Sequence, residues 1–245
     1  MADIRIVNDG IELNEPTLIE GFPGAGLVGK IVADHIVEEL ELTHYADIHC
    51  EAFQKVAVYD QGTPELASPV RLYADDAGET LVLQSDIPIE PAAAEEFAHC
   101  FSPWVEQEAH PVFIAGLPTK QRSSPPELFG VGTGAGVETV DRAGLARPPE
   151  RGIVSGPAGT LLNYAVANGL DAVGLIVETD PRFPDPMGAK VLLKQGIEPI
   201  IGQGVAADKL DAQAEKIQEA KERLAKRMQE GGNESSEAVP IRMFQ

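Results

Sequence analysis

The chain opens with two short β-prone runs, residues 4–7 and 17–20, and then changes period. From 27 to 40 the apolar residues fall at Leu27, Val28, Ile31, Val32, Ile36 and Leu40, the spacing of one helix face. Gly21, Phe22, Pro23, Gly24 and Gly26 lie between run and helix and Gly29 in its first turn, so the segment reads as strand, glycine turn, helix. Strands are expected at 45–53 and 55–59. Those at 70–73 and 80–84 flank the turn residues Asp75, Asp76, Ala77 and Gly78 and predict a hairpin. Pro91 opens a helix to about 108, because proline in a first helical turn loses no hydrogen bond, and a buried strand returns at 111–116.

From 117 to 136 the composition turns to Pro, Ser and Gly, which predicts a long surface connection around a short strand at 128–131. A strand at 152–154, a helix at 157–168, a strand at 172–178 and a helix at 187–195 then alternate as βαβ units do. Residues 1–205 are therefore expected to form an α/β core, a mostly parallel sheet flanked by helices. Residues 206–230 are rich in helix formers, and Leu210, Ala214, Ile217, Lys221, Leu224 and Met228 alternate spacings of four and three. That seam predicts an amphipathic helix packed on its own domain or between protomers. Residues 231–245 read as a flexible tail, a Gly- and Ser-containing linker with a reach of roughly 15–20 Å ending in the apolar IRMFQ.

Composition narrows the function classes. The 245 residues are 43% hydrophobic, enough for one sizeable core, and carry 39 Asp plus Glu against 19 Lys plus Arg, a formal charge of -20. Such a field repels phosphate backbones and anionic lipid, so no nucleic-acid or membrane partner is expected. The carboxylates are spread along the whole chain, as in proteins adapted to a high-salt cytoplasm, and halophilic stability is the expectation. No run is long and apolar enough for a membrane span and the first ten residues lack signal-peptide character, so a cytoplasmic location is expected. Cys50 and Cys100 lie far apart in sequence with no CxxC and read as small buried apolar residues.

Three motifs bear on chemistry. Gly24, Gly26 and Gly29 form a GxGxxG with Asp47 about twenty residues on, which is similar to a dinucleotide fingerprint, or else serves helix packing and a positive φ. Glu178, Asp180 and Asp185 follow a predicted strand, where α/β sheets place ligand sites; the competing reading is that Asp180-Pro181 and Asp185-Pro186 only shape the loop and start the next helix. Ser155 lacks a glycine two residues before it and so fails the nucleophile-elbow pattern, and the five histidines show no metal spacing. No catalytic residue, metal or cofactor is expected.

The blocks GFPGAGLVGKIVADHIVEEL, SGPAGTLL and ETDPRFPDPMGAKVLL occur in that order, and with them the sequence from 17 to 229 resembles the proteasome assembly chaperone family, in its archaeal and bacterial members. Together with the acidity, this points to a haloarchaeal source. The resemblance implies a fold akin to nucleoside phosphorylases, a homo-oligomer, and ATP-independent help in assembling or capping the proteasome core. It further implies docking into pockets between core α-subunits through a terminal hydrophobic residue, a tyrosine and a last residue. Here those positions hold Met243, Phe244 and Gln245. The first two offer apolar area, and a terminal carboxylate can pair with a lysine. Phe244 departs from the pattern by lacking the phenolic hydroxyl. The alternative is a nucleotide- or nucleoside-binding enzyme using the Gly24 turn.

Overall fold

The computed structural model describes residues 3–59, 62–119 and 123–230. Its elements in chain order are β1 (Asp3–Ile6), β2 (Thr17–Gly21), α1 (Val28–Glu39), β3 (Thr43–His49), β4 (Val58–Tyr59), β5 (Leu66–Ala67), β6 (Val70–Ala74), β7 (Thr80–Ser85), α2 (Ala94–Glu108), β8 (His110–Pro118), β9 (Leu128–Thr133), α3 (Gly136–Arg142), α4 (Gly156–Asn168), β10 (Ala172–Thr179), α5 (Pro186–Val191), α6 (Glu198–Ile201) and α7 (Asp208–Glu230). Eight strands form one sheet in the order β1-β3-β6-β7-β2-β8-β10-β9, and β4 and β5 pair separately.

The four central strands, β7, β2, β8 and β10, run parallel, as the alternation of strand and helix predicts. Antiparallel strands extend the sheet at both sides: β6, β3 and β1 beyond β7, and β9 beyond β10. The two-residue alternation of the strands divides the core. Leu18, Leu81, Leu83 and Phe113 point to the layer of α2 and α4, while Ile19, Val82, Val112 and Ile114 point to that of α1, α5 and the start of α7. Both faces are covered, which is why the central strands read as near-continuous apolar runs.

Several local readings change. Residues 152–154 form no strand: Ile153 is 95% exposed, whereas a strand there would bury it. The edge next to β10 is taken instead by β9, part of the segment read as a surface connection, which continues into α3. Glycine makes that packing possible, since a Cβ at Gly132 would stand 2.6 Å from the Gly136 carbonyl carbon. The strand expected at 55–59 shrinks to β4. The helix expected at 187–195 runs on through a π-helical turn, Leu192–Ile197, into α6. Within that turn Gly196 lies close against Leu128 and Leu175, whose side-chain ends would have to shift slightly to admit a Cβ.

The amphipathic helix is present as α7, and its first turns pack on their own domain. Leu210 is buried, Lys190 pairs with Asp211 at 2.6 Å, and Lys209 reaches Glu38 and Glu39 on α1 at 2.6 and 2.7 Å. The buried imidazole of His35 bonds the Ala206 carbonyl at 2.6 Å just before the helix. Among the described residues no helix is long and apolar enough to cross a membrane. The tail, with Met243, Phe244 and Gln245, lies outside the described residues.

Candidate functional site: a crevice at the carboxyl ends of the parallel strands

The β2/β8 ladder pairs Thr17 with His110, Leu18 with Pro111 and Ile19 with Val112, and then stops. On its other side β2 stays with β7 as far as Gly21 opposite Gln84. The two central strands therefore part at their carboxyl ends. Glu20 fills the break. Its carboxylate accepts the Ile114 N–H at 3.0 Å, replacing the missing rung, and the Phe22 N–H at 2.7 Å, fixing the turn that follows. The residue is 3% exposed, and burial pushes its pKa up to about 7 against the pull of those two N–H donors. A single acid inside an apolar strand was its only sequence signal, and the motif reading passed over it.

Beyond Glu20 lies a crevice of about 280 Å³, lined by Phe22, Pro23, Leu117, Pro118, Ile153 and Pro157 among others. The carboxyl edge of parallel strands is where open α/β sheets place ligands. Among the described residues no lysine or arginine lines it, and its one ionisable wall group is an acid. Such a lining suits apolar groups. Ser155 precedes α4 at the rim with no side-chain hydrogen bond to the helix end.

The glycine motif has a packing role. Gly26 takes φ +63°, and a Cβ there would overlap the Thr179 hydroxyl at the end of β10. Gly29 brings α1 onto the turn, where a Cβ would stand 3.2 Å from the Phe22 carbonyl oxygen. Leu27 also adopts a left-handed φ of +53°, a conformation unusual for a γ-branched residue, so the turn is held by its surroundings. Gly21, Phe22, Pro23 and Gly24 thus border the crevice or adjoin it, while Gly26 and Gly29 fix the approach of α1. Asp47 is not brought to this turn. It sits on the antiparallel strand β3, three strand spacings or roughly 14 Å from β2, and its carboxylate meets His44 at 3.1 Å. The second strand of a dinucleotide fold would lie parallel and adjacent, so the fingerprint lacks its acidic arm.

The loop after β10 brings its acids to separate tasks. Glu178 accepts the Ser123 and Glu127 N–H groups at 3.0 and 3.1 Å. Asp180 forms a two-pronged bond with Arg182, both contacts 3.0 Å. Asp185 is buried and caps α5: one oxygen accepts the Gly188 N–H and the other the Thr179 hydroxyl, each at 3.0 Å. Its own N–H donates to the Gly26 carbonyl at 2.8 Å, which joins this loop to the glycine turn. The arrangement fixes a corner of the fold, and among the described residues no His, Cys, Asp and Glu group could hold a metal ion.

These features define an α/β protein whose ligand-edge crevice is apolar and carries one buried carboxyl, set among loops braced by glycines and an aspartate cap. The chain belongs to the PAC2 family, whose sequence profile matches residues 18–225. It is 29% identical over 237 residues to the uncharacterized protein MJ0106 of Methanocaldococcus jannaschii, covering 94% of each chain. Among solved structures it is similar to Pyrococcus furiosus PbaA, described as an archaeal homolog of proteasome-assembly chaperone, with a TM-score of 0.77, 23% identity and 94% of each chain covered. It also resembles Pyrococcus furiosus PbaB, described as an archaeal proteasome activator, with a TM-score of 0.74, 21% identity and 91% and 98% covered. At these identities the structural likeness establishes the fold.

Proposed function

We propose that this chain is a non-enzymatic, ATP-independent chaperone or adaptor of the proteasome core, acting in the cytoplasm as a homo-oligomer. Met243, Phe244 and Gln245 seat in pockets between neighbouring α-subunits, and the linker before them lets several tails of one oligomer engage together, turning weak contacts into avidity. The observation that carries the reading is the family match over residues 18–225, which takes in all but β1 and the ends of β2 and α7, beyond which the sequence has a polar linker and an apolar end. The relatives described as a chaperone homolog and a proteasome activator share that fold. The test removes residues 243–245 from the full chain and measures capture of purified core particles, with oligomer size followed by light scattering. Binding is lost and size is unchanged; capture at the parental level refutes tail docking. Phe244→Tyr, which restores the phenolic hydroxyl, binds more tightly than the parent.

The competing enzyme reading rests on the glycine turn, Gly24 to Gly29. The packing role of Gly26 and Gly29, and the displacement of Asp47 from the turn, favour the chaperone. Calorimetry with ATP, NAD and nucleosides is expected to be silent, and micromolar binding abolished by Gly26→Val would restore the enzyme.

A further inference from the structure

The segment between β3 and β6 stands off the body of the fold. Its two strands, β4 and β5, pair with each other in a sheet separate from the central one. An open cavity of about 600 Å³ divides the inner side of this hairpin, at Ala57 and Ala67, from Arg5 on β1 and His49 on β3. Tyr59 lies directly opposite Leu66, which puts the two side chains on one face. They are 79% and 71% exposed. A two-stranded ladder is marginal by itself, and this one leaves its apolar pair in solvent. Because β3 is antiparallel to β6, and β6 to β7, β3 runs with the four parallel strands, and the hairpin leaves from their carboxyl edge.

The crevice opens on that same edge. The segments that build most of it, 21–29, 111–119 and 152–170, hold no charged residue in a chain that is 24% charged. Leu117 and Ile153 stand exposed on its wall. At about 280 Å³ it falls below the roughly 300–1,000 Å³ of sites for whole small molecules, and suits a pair of apolar side chains better. None of the described hairpin residues lines it within this chain.

Charge selects the occupant. Two copies with a formal charge of -20 each repel wherever their carboxylates face one another, and the crevice is a surface whose one acid, Glu20, is buried. Glu65 beside Leu66, and Arg151 two residues before Ile153, are both exposed, so the hairpin brings an acid toward a basic rim.

We propose that the hairpin of one copy of this chain seats Tyr59 and Leu66 in the crevice of a second copy. This contact, which rests on the homo-oligomer of the proposed function, is what joins its copies. Each copy gives an arm and receives one, so the association is head to tail between two unlike surfaces.

The test measures the mass of the full chain in molar KCl by size-exclusion chromatography with light scattering. The parent is an oligomer. Tyr59→Asp with Leu66→Asp disables the arm, Leu117→Asp with Ile153→Asp puts charge in the crevice, and each double variant runs as a 26.1 kDa monomer. Mixed one to one, the two variants form a dimer of twice that mass and nothing larger, because the intact arm of one meets the intact crevice of the other and the remaining ends are dead. All four side chains are exposed, so circular dichroism and melting stay parental. Val137→Asp, at another exposed apolar position on α3, keeps the parental mass. Double variants of parental mass overturn the contact and leave a homo-oligomer in place, as does dissociation by Val137→Asp; a monomeric parent overturns both. Variants that dissociate but stay monomeric on mixing also overturn it, since a like-to-like interface or an arm folded on its own crevice gives that result. Tail docking is read separately by core capture, because residues 243–245 are intact in every variant.

Discussion

Glu20 makes stability depend on pH in a direction opposite to that of most carboxylates. Its pKa is about 7 in the fold against 4.5 for a free glutamate, so between these values the native state holds a proton that the unfolded chain has released. Stability from this group is fully present below pH 4.5 and is lost as pH rises through 7. Integrating the linkage relation over the two values gives a loss of about 2.5 kcal/mol between pH 5 and 8. Glu20→Gln removes the titration. It also places an amide NH₂ where one of two backbone donors needs an acceptor, so the variant is less stable throughout, by about 1–3 kcal/mol at pH 8. The assay is urea unfolding of parent and variant across pH 5 to 8 at constant KCl. The gap between them should be widest at pH 5 and should narrow by about 2.5 kcal/mol by pH 8. Two curves that stay parallel over this range would refute a buried carboxyl that titrates near neutrality.

The remaining expectations concern the corner beside the crevice and the charge of the whole surface. Gly26→Ala combines a left-handed backbone with overlap on the Thr179 hydroxyl and should lower unfolding free energy by roughly 2–4 kcal/mol in chemical denaturation; a variant matching the parent contradicts the packing role. Asp185→Ala removes the α5 cap and the acceptor of a buried hydroxyl together, for a loss of about 2–4 kcal/mol in thermal melts, while Asp185→Asn retains part of it. The melting midpoint of the full chain should climb between low and molar KCl, and a flat response would set aside the high-salt reading of its -20 charge.

The hydrophobic pattern determined which segments become strands and helices through most of the chain, because a strand buried on both faces and a helix buried on one leave unlike periods. It found α1, α2, α4, β10 and the β6/β7 hairpin, and it marked the glycine turn and the loop after β10 as positions of chemical interest. Where it failed, the deciding contact was remote. Residues 152–154 carry a β-prone sequence, yet the place beside β10 goes to β9, whose glycines admit α3. Pairing partners and parallel or antiparallel sense depend on which strand fills which edge, and local period does not encode that. The same holds for the sites. Glu20 and Ile114 are 94 positions apart, and their bond exists only because β2 and β8 separate beside each other. Asp47 fell at a suggestive spacing but on a distant antiparallel strand. Cys50 and Cys100, far apart in sequence, end in one apolar cluster. Sequence fixes which groups are available and how each segment periodically exposes them. Chain folding alone brings distant groups within hydrogen-bonding range, because those distances depend on the packing of every element between them.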